Sequence, residues 1–126
     1  MSHLEKKKFE VMFLEDAILF LESLTPKATE KIIYNINKAC FINDINLFKK
    51  INPVIWEFRT IHNKTHYRLF AFWDKSPAQT LVIVTHGIIK KKSKIDQNEI
   101  DNSKRLMELY LNNKNQINQY YETGKS

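Results

Sequence analysis

An α+β domain, with helices packed on an antiparallel sheet, is what this sequence predicts, and three observations predict it. Two stretches with apolar residues at helical spacing follow one another near the start, from Leu14 to Leu24 and from Pro26 to Ala39. Three runs rich in β-branched and aromatic residues come next, Val54 to Ile61, His66 to Trp73 and Thr80 to Ile89, and a further helical stripe closes the chain. Strands that are grouped in sequence, between blocks of helix, favour segregated layers over alternating βαβ units. At 126 residues, 43% of them hydrophobic, the chain is sized for one core, so a single domain is expected over residues 1–126, with its centre over about 8–121 and a frayed tail over 122–126.

In order along the chain, Lys8 to Phe13 reads as a short first strand. In the next stretch Ala17, Ile18, Leu21 and Leu24 fall on one helical face. Thr25-Pro26 has the form of an N-cap followed by proline at the first helical position, and it opens a second helix with Ala28, Ile32, Ile33, Ile36 and Ala39 in one stripe. The two helices make a hairpin. Phe41 to Pro53, with its asparagines, lysine pair and proline, reads as a separator. The three β-rich runs form a meander joined by turns at His62 to Thr65 and Asp74 to Gln79, and with the first strand they make a four-stranded sheet. Asp96 with Glu99 three residues on resembles a capping box, opening a long last helix that carries Ile100, Met107, Tyr110, Ile117 and Tyr121. The helices are expected on one sheet face, leaving the other open.

The formal charge of +6 is unevenly spread, with Lys6 to Lys8 crowding the start and Lys90, Lys91, Lys92 and Lys94 crowding one later segment. Such clusters favour polyanions, solubility being their plainer meaning. Cys40 is the sole cysteine and sits in an apolar helical stretch, which excludes a disulfide framework or a thiolate metal cluster and marks it as core. No apolar run approaches the roughly 20 residues of a membrane span, and no continuous secretory apolar segment follows the early lysines, so a reducing cytoplasm is the expected compartment and no membrane partner is expected. Histidine, aspartate and cysteine spacings do not resemble a metal site, and glycine-rich phosphate loops and nucleophile elbows are missing, so neither metal nor cofactor is expected.

Strand periodicity singles out a polar set. Glu57 and Arg59 share one face of their strand and Trp56 and Phe58 the other. On the next strand His66 and Arg68 share a face with Phe70 and Phe72, which makes Arg68 a charge among aromatics, in need of a partner or a ligand. A cross-strand pair with Glu57 is the structural alternative; the functional one is a phosphate clamp, since arginine offers a planar fork of donors to an anion. Of three arginines in the chain, two, Arg59 and Arg68, fall in these strands, and Lys90 to Lys92 stand where the last strand ends.

These residues also carry a resemblance. Ile55-Trp56-Glu57-Phe58-Arg59, then Tyr67-Arg68-Leu69-Phe70, then His86-Gly87-Ile88-Ile89-Lys90-Lys91 followed by Glu99-Ile100 resemble, in order and spacing over roughly residues 8–112, the phage-derived HigB-like branch of the RelE/ParE toxin superfamily. Departures are Ile88 for a usual phenylalanine, Lys92 for threonine, Asp96 for proline and Ser103 for alanine. The resemblance implies a RelE-like fold and a toxin that cleaves mRNA on the ribosome without a metal. It also implies an adjacent helix-turn-helix antitoxin that joins the toxin in a hetero-oligomer.

Metal-independent cleavage needs the ribose 2′-hydroxyl deprotonated, charge at phosphorus stabilised and the departing 5′-oxygen protonated. Arg68 and Lys91 are the expected phosphate-holding groups, with Arg59 and Lys90 helping. Proton carriers are sought among His66, Glu57, His86 and Tyr67, and His66 is preferred because it shares a strand face with Arg68. Lys92, Lys94, Tyr67 and His86 complete the expected RNA-binding set. The competing expectations are a gyrase poison on the same scaffold and a non-catalytic nucleic-acid-binding module, because fold does not fix function.

Overall fold

A computed structural model describes residues 6–75, 80–91 and 94–124, with the side chains of the last helix described to residue 114. Five strands and three helices follow in the order β1 (Glu10–Phe13), α1 (Glu15–Glu22), α2 (Pro26–Phe41), β2 (Phe48–Lys50), β3 (Trp56–His62), β4 (Thr65–Asp74), β5 (Leu81–Lys90) and α3 (Gln97–Gly124). The strands lie in one mixed sheet of order β1-β5-β4-β3-β2. β1 pairs parallel to β5 and the other pairs are antiparallel, so the meander is as expected while the sheet as a whole is not purely antiparallel.

The strand count also departs from expectation. β2 lies in the stretch read as a separator, where Phe48 pairs with Phe58 and their rings stack 4.2 Å apart. Three residues are too few to show a period of two, and the pairing is held by one aromatic anchor that sequence alone does not distinguish from a loop phenylalanine. The last helix runs through Gly124; Lys125 and Ser126 lie outside the described residues, as do the side chains of Ile117 and Tyr121.

The hairpin of α1 and α2 covers one sheet face. Thr25 caps α2 as its sequence predicts, its Oγ1 accepting from the Ala28 N–H at 3.3 Å, and Ala28, Ile32, Ile36, Ala39 and Cys40 are buried. They pack with Phe58, Leu69, Ala71, Val82 and Val84 from the sheet. α1 turns slightly from its predicted stripe: Ala17, Phe20, Leu21 and Leu24 face the core, while Ile18 is 44% exposed.

The opposite sheet face is not left open. α3 lies on it, and Ile100, Met107 and Tyr110 pack against Phe70, Phe72 and Ile83. The sheet therefore carries helices on both faces, because its second face is as aromatic as its first over β4 and has to be buried as well. α3 does not extend over the whole of that face, and the uncovered end is where the charged residues gather.

Candidate functional site

Cross-strand register arranges the charged residues in rows on the α3 face. Glu57, Phe70 and His86 stand abreast on β3, β4 and β5; Arg59, Arg68 and Ile88 form the next row; Ile61, His66 and Lys90 form the one beyond. A β-bulge makes this possible. Phe70 faces His86 while Ala71 faces Val84, so Thr85 is an extra residue that resets the alternation and brings Thr85 and His86 to the same side. The Thr85 hydroxyl lies 2.7 Å from that of Ser103 and donates to the Phe70 carbonyl at 3.2 Å. The His86 ring stacks on Phe70 at 5.0 Å and its Nε2 lies 3.0 Å from Glu99 Oε1. The start of α3 is thus pinned to β5. Asp96 caps that helix through the Asn98 N–H at 2.9 Å, but Glu99 spends its carboxylate on His86 instead of closing the expected capping box.

Gly87 belongs to the same device on the opposite face. A Cβ there would fall 2.6 Å from Phe20 Cε2 and 2.9 Å from its Cγ, so only glycine lets α1 lie this close to β5.

Beyond the reach of α3 the rows become cationic. Arg59 and Arg68 are direct cross-strand neighbours, an arrangement of like charges that destabilises a sheet. Glu57, buried between them, offsets it: its Oε1 is 3.4 Å from Arg59 Nε and 3.5 Å from Arg68 Nε. Neither approach has hydrogen-bond geometry, so both Nε atoms and Glu57 Oε2 are buried without a hydrogen-bond partner among the described residues. Arg68, only 3% exposed, donates from Nη1 to the Tyr67 carbonyl at 3.3 Å. Burial pushes its pKa down, with Glu57 opposing and Arg59 adding to the push. Lys90 is likewise held below its ordinary value, first by partial burial and then by Arg68, with Arg59 and Lys49 reinforcing and Glu57 opposing. One carboxylate thus serves four cations, and an unpaired donor buried at such a place is costly unless a ligand uses it.

A cleft of about 260 Å³ opens over this ground, lined by Asn35, Asn46, Leu47, Arg59, Ile61, His66 and Arg68. It exists because β2 is short: Leu47 still accepts from the Arg59 N–H at 2.9 Å, but among the described residues no strand flanks that edge of β3 past that point. A multi-oxygen anion seated there would meet Arg68 from below and Arg59 from the side, in a partly desolvated place where charge-assisted hydrogen bonds are strong.

The expected site residues divide accordingly. Glu57, Arg59, His66, Arg68 and Lys90 are brought together. Tyr67 is not, since its side chain is buried on the α1/α2 face, and His86 is buried beneath α3 with its ring engaged. Lys91 is exposed just past the end of β5, so that Lys90 and not Lys91 stands among the arginines; Lys94 is exposed further along, and Lys92 lies outside the described residues. Lys49 and Asn46, which no motif marked, join through pairing of the short β2. Among the described residues no group of three histidine, cysteine or acidic side chains is placed to hold a metal ion, and no helix is long and apolar enough to cross a membrane.

A mixed sheet clasped by helices, with a net-cationic cleft at one end of one face, defines a small α+β protein. Residues 19–108 match the model of the family described as phage-derived protein Gp49-like (DUF891), and the chain belongs to that family. The family is part of the RelE/ParE-like toxin superfamily and is associated with toxin-antitoxin systems, which implies an antitoxin partner. No curated protein matches the chain.

Proposed function

We propose that this protein is the toxin of a toxin-antitoxin pair, a RelE-like, metal-independent endoribonuclease that cuts mRNA on the ribosome. The observation that carries the reading is the buried Arg68 guanidinium, set against Arg59 across the strand, with an Nε on each that has no hydrogen-bond partner among the described residues. Arg68 and Arg59 hold the scissile phosphate and Lys90 closes the third side, with Lys91 beside it at the strand end. Preorganised cations at a developing charge are worth about 3–4 kcal/mol each in comparable sites. Glu57 orients both arginines. His66, exposed and directly opposite Lys90, takes the proton from the 2′-hydroxyl as its oxygen attacks phosphorus. The bond to the 5′-oxygen breaks, that oxygen takes a proton from water while His66 returns its own to solvent, and a cyclic 2′,3′-phosphate and a 5′-hydroxyl end remain. A helix-turn-helix antitoxin would silence the protein by covering these cations, and the chemistry fits a cytoplasmic setting.

The test adds purified protein to a cell-free translation reaction, with and without ribosomes, and maps mRNA ends by primer extension. New ends that need ribosomes, and that disappear with Arg68→Ala, are expected. Intact mRNA in the presence of folded protein overturns the reading and moves gyrase poisoning ahead of it.

A further inference from the structure

A second cleft lies around the corner of the sheet, between α2 and the tip of the β3–β4 hairpin. It has a volume of about 470 Å³ and is lined by Lys27, Glu30, Lys31, Tyr34 and His62. Tyr34 is 60% exposed, on the side of α2 turned away from the core, and Lys31 Nζ stands 5.4 Å from its ring centroid. An exposed aromatic face flanked by cations is what sequence-tolerant single-strand binding uses, the ring stacking a base and the cations tracking the backbone.

The hairpin tip supplies an independent observation. Asn63 and Lys64 form a two-residue loop with φ of 50° and 64°, both left-handed, as a type I′ turn requires. Asparagine suits the first position, but the second favours glycine, and a lysine there sits in a conformation that L side chains rarely adopt. The turn gives up backbone stability to present an ammonium two residues from His62, which fits a side chain kept for binding.

The linings of the two clefts are neighbours in sequence on both α2 and β3. Asn35, next to Tyr34, donates from Nδ2 to Thr60 Oγ1 at 3.0 Å and lines the cationic cleft together with Ile61 and His66. His62 lines the other cleft one residue further along β3. At strand spacing, Arg59 and His62 are about 10 Å apart along the chain.

We propose that the α2 cleft is a stacking platform for an unpaired RNA strand, with a base on Tyr34 and its flanking phosphates on Lys27, Lys31 and Lys64. The strand it holds is the one whose phosphate enters the Arg68 site; that path rests on the function proposed above, whereas the platform itself rests on the cleft. Glu30 is outnumbered there by cations and leaves the surface basic, which sets it apart from a surface made for an acidic peptide alone.

The test measures fluorescence anisotropy of a short, unstructured, labelled single-stranded RNA with the full-length protein across a salt series. Tyr34→Ala is expected to weaken binding by about five- to thirtyfold, and Tyr34→Phe to stay within about twofold. Lys64→Gly separates binding from folding: its thermal midpoint should rise while RNA affinity falls, and the slope of log affinity against log salt should shrink by about 0.7. RNA affinity unchanged in Tyr34→Ala and Lys64→Gly overturns the platform and leaves the surface to a protein partner. Failure of the wild-type protein to bind the RNA overturns it equally. Tyr34-dependent binding with intact mRNA in the ribosome assay keeps the platform and sinks the cleavage reading.

Discussion

At the end of β4 that α3 covers, Asp74 is 2% exposed, and its Oδ2 accepts from Tyr110 Oη at 2.8 Å and from Lys114 Nζ at 2.6 Å. Near the other end of the same strand and on the same face, Arg68 is equally buried, yet its Nε has no hydrogen-bond partner among the described residues and its direct cross-strand neighbour on β3 is another arginine. Both charges were taken out of water, which is unfavourable for either. The first is repaid within the protein by a hydroxyl and an ammonium. The second is repaid only in part, by the Tyr67 carbonyl at 3.3 Å and a carboxylate shared at 3.4 and 3.5 Å. A buried charge that is fully met belongs to the architecture; one left short of partners is where the proposed function seats a phosphate.

Substituting each charge is the sharpest way to break that contrast. Arg68→Ala should reduce ribosome-dependent cleavage by about a hundredfold or more, as loss of a charge-stabilising donor does elsewhere. Its folding stability should fall by less than that of Asp74→Ala, because the like-charge contact with Arg59 goes with it and Arg59 stays beside Glu57. Asp74→Ala should do the reverse and lower stability by about 3 kcal/mol, with a fall in Tm of roughly 10 °C, by removing the buried carboxylate that accepts from Tyr110 and Lys114. Cleavage per folded molecule should be kept. Chemical denaturation and end mapping on the same two preparations decide it: equal losses of stability would erase the distinction between the two ends.

A smaller effect is expected where the two ends meet. Gly87→Ala forces the Phe20 ring away from β5 and should cost about 1–3 kcal/mol by overpacking, read as a lower denaturation midpoint. Because Gly87 faces α1 while Arg68 faces the cleft, cleavage by the folded fraction should persist. A Gly87→Ala protein that is stable yet inactive would tie the glycine to the site itself.

The contrast between the ends was only half legible in the sequence. Helix starts with a local cause were readable, as at Thr25-Pro26, and so was the face that Arg68 shares with His66, since both follow from spacing along one segment. What depended on partners distant in sequence was not. The bulge at Thr85 depends on a match between β4 and β5, so His86 looked available although α3 seals it beneath Glu99. The bulge also set the parity at the end of β5 and with it the choice of Lys90 over Lys91. β2 was invisible because a three-residue strand has no period, and with it went the reason the cleft stays open. The placing of α3 on the second sheet face was foreshadowed by Phe70 and Phe72, two large rings on the face that Arg68 shares, which water would not have been left to cover.

The finest test of the contrast is the pH dependence of stability, where each end has one indicator. Tyr110 is raised to about 12, chiefly by burial and then by its bond to Asp74. The native state keeps that proton after the unfolded chain has lost it, so stability falls as pH rises from about 10 to about 12, and Tyr110→Phe should abolish that fall. Lys90 behaves oppositely. Its folded pKa lies below 10.5, so the unfolded chain binds the proton more tightly and the native state carries an unfavourable charge throughout the neutral range. That burden lifts as pH climbs toward 10.5, and stability should gain slightly there in a Tyr110→Phe background. Lys90→Met should lack the gain and be more stable than its parent at neutral pH by about 0.5 kcal/mol, while cleaving poorly. Inorganic phosphate should raise the parent's Tm beyond what chloride of equal ionic strength achieves, because a bound anion removes the same repulsion, and it should do so less in Lys90→Met. If Lys90→Met matches its parent in pH profile and in phosphate response alike, the lysine is an ordinary solvated charge and the anion site contracts to the two arginines.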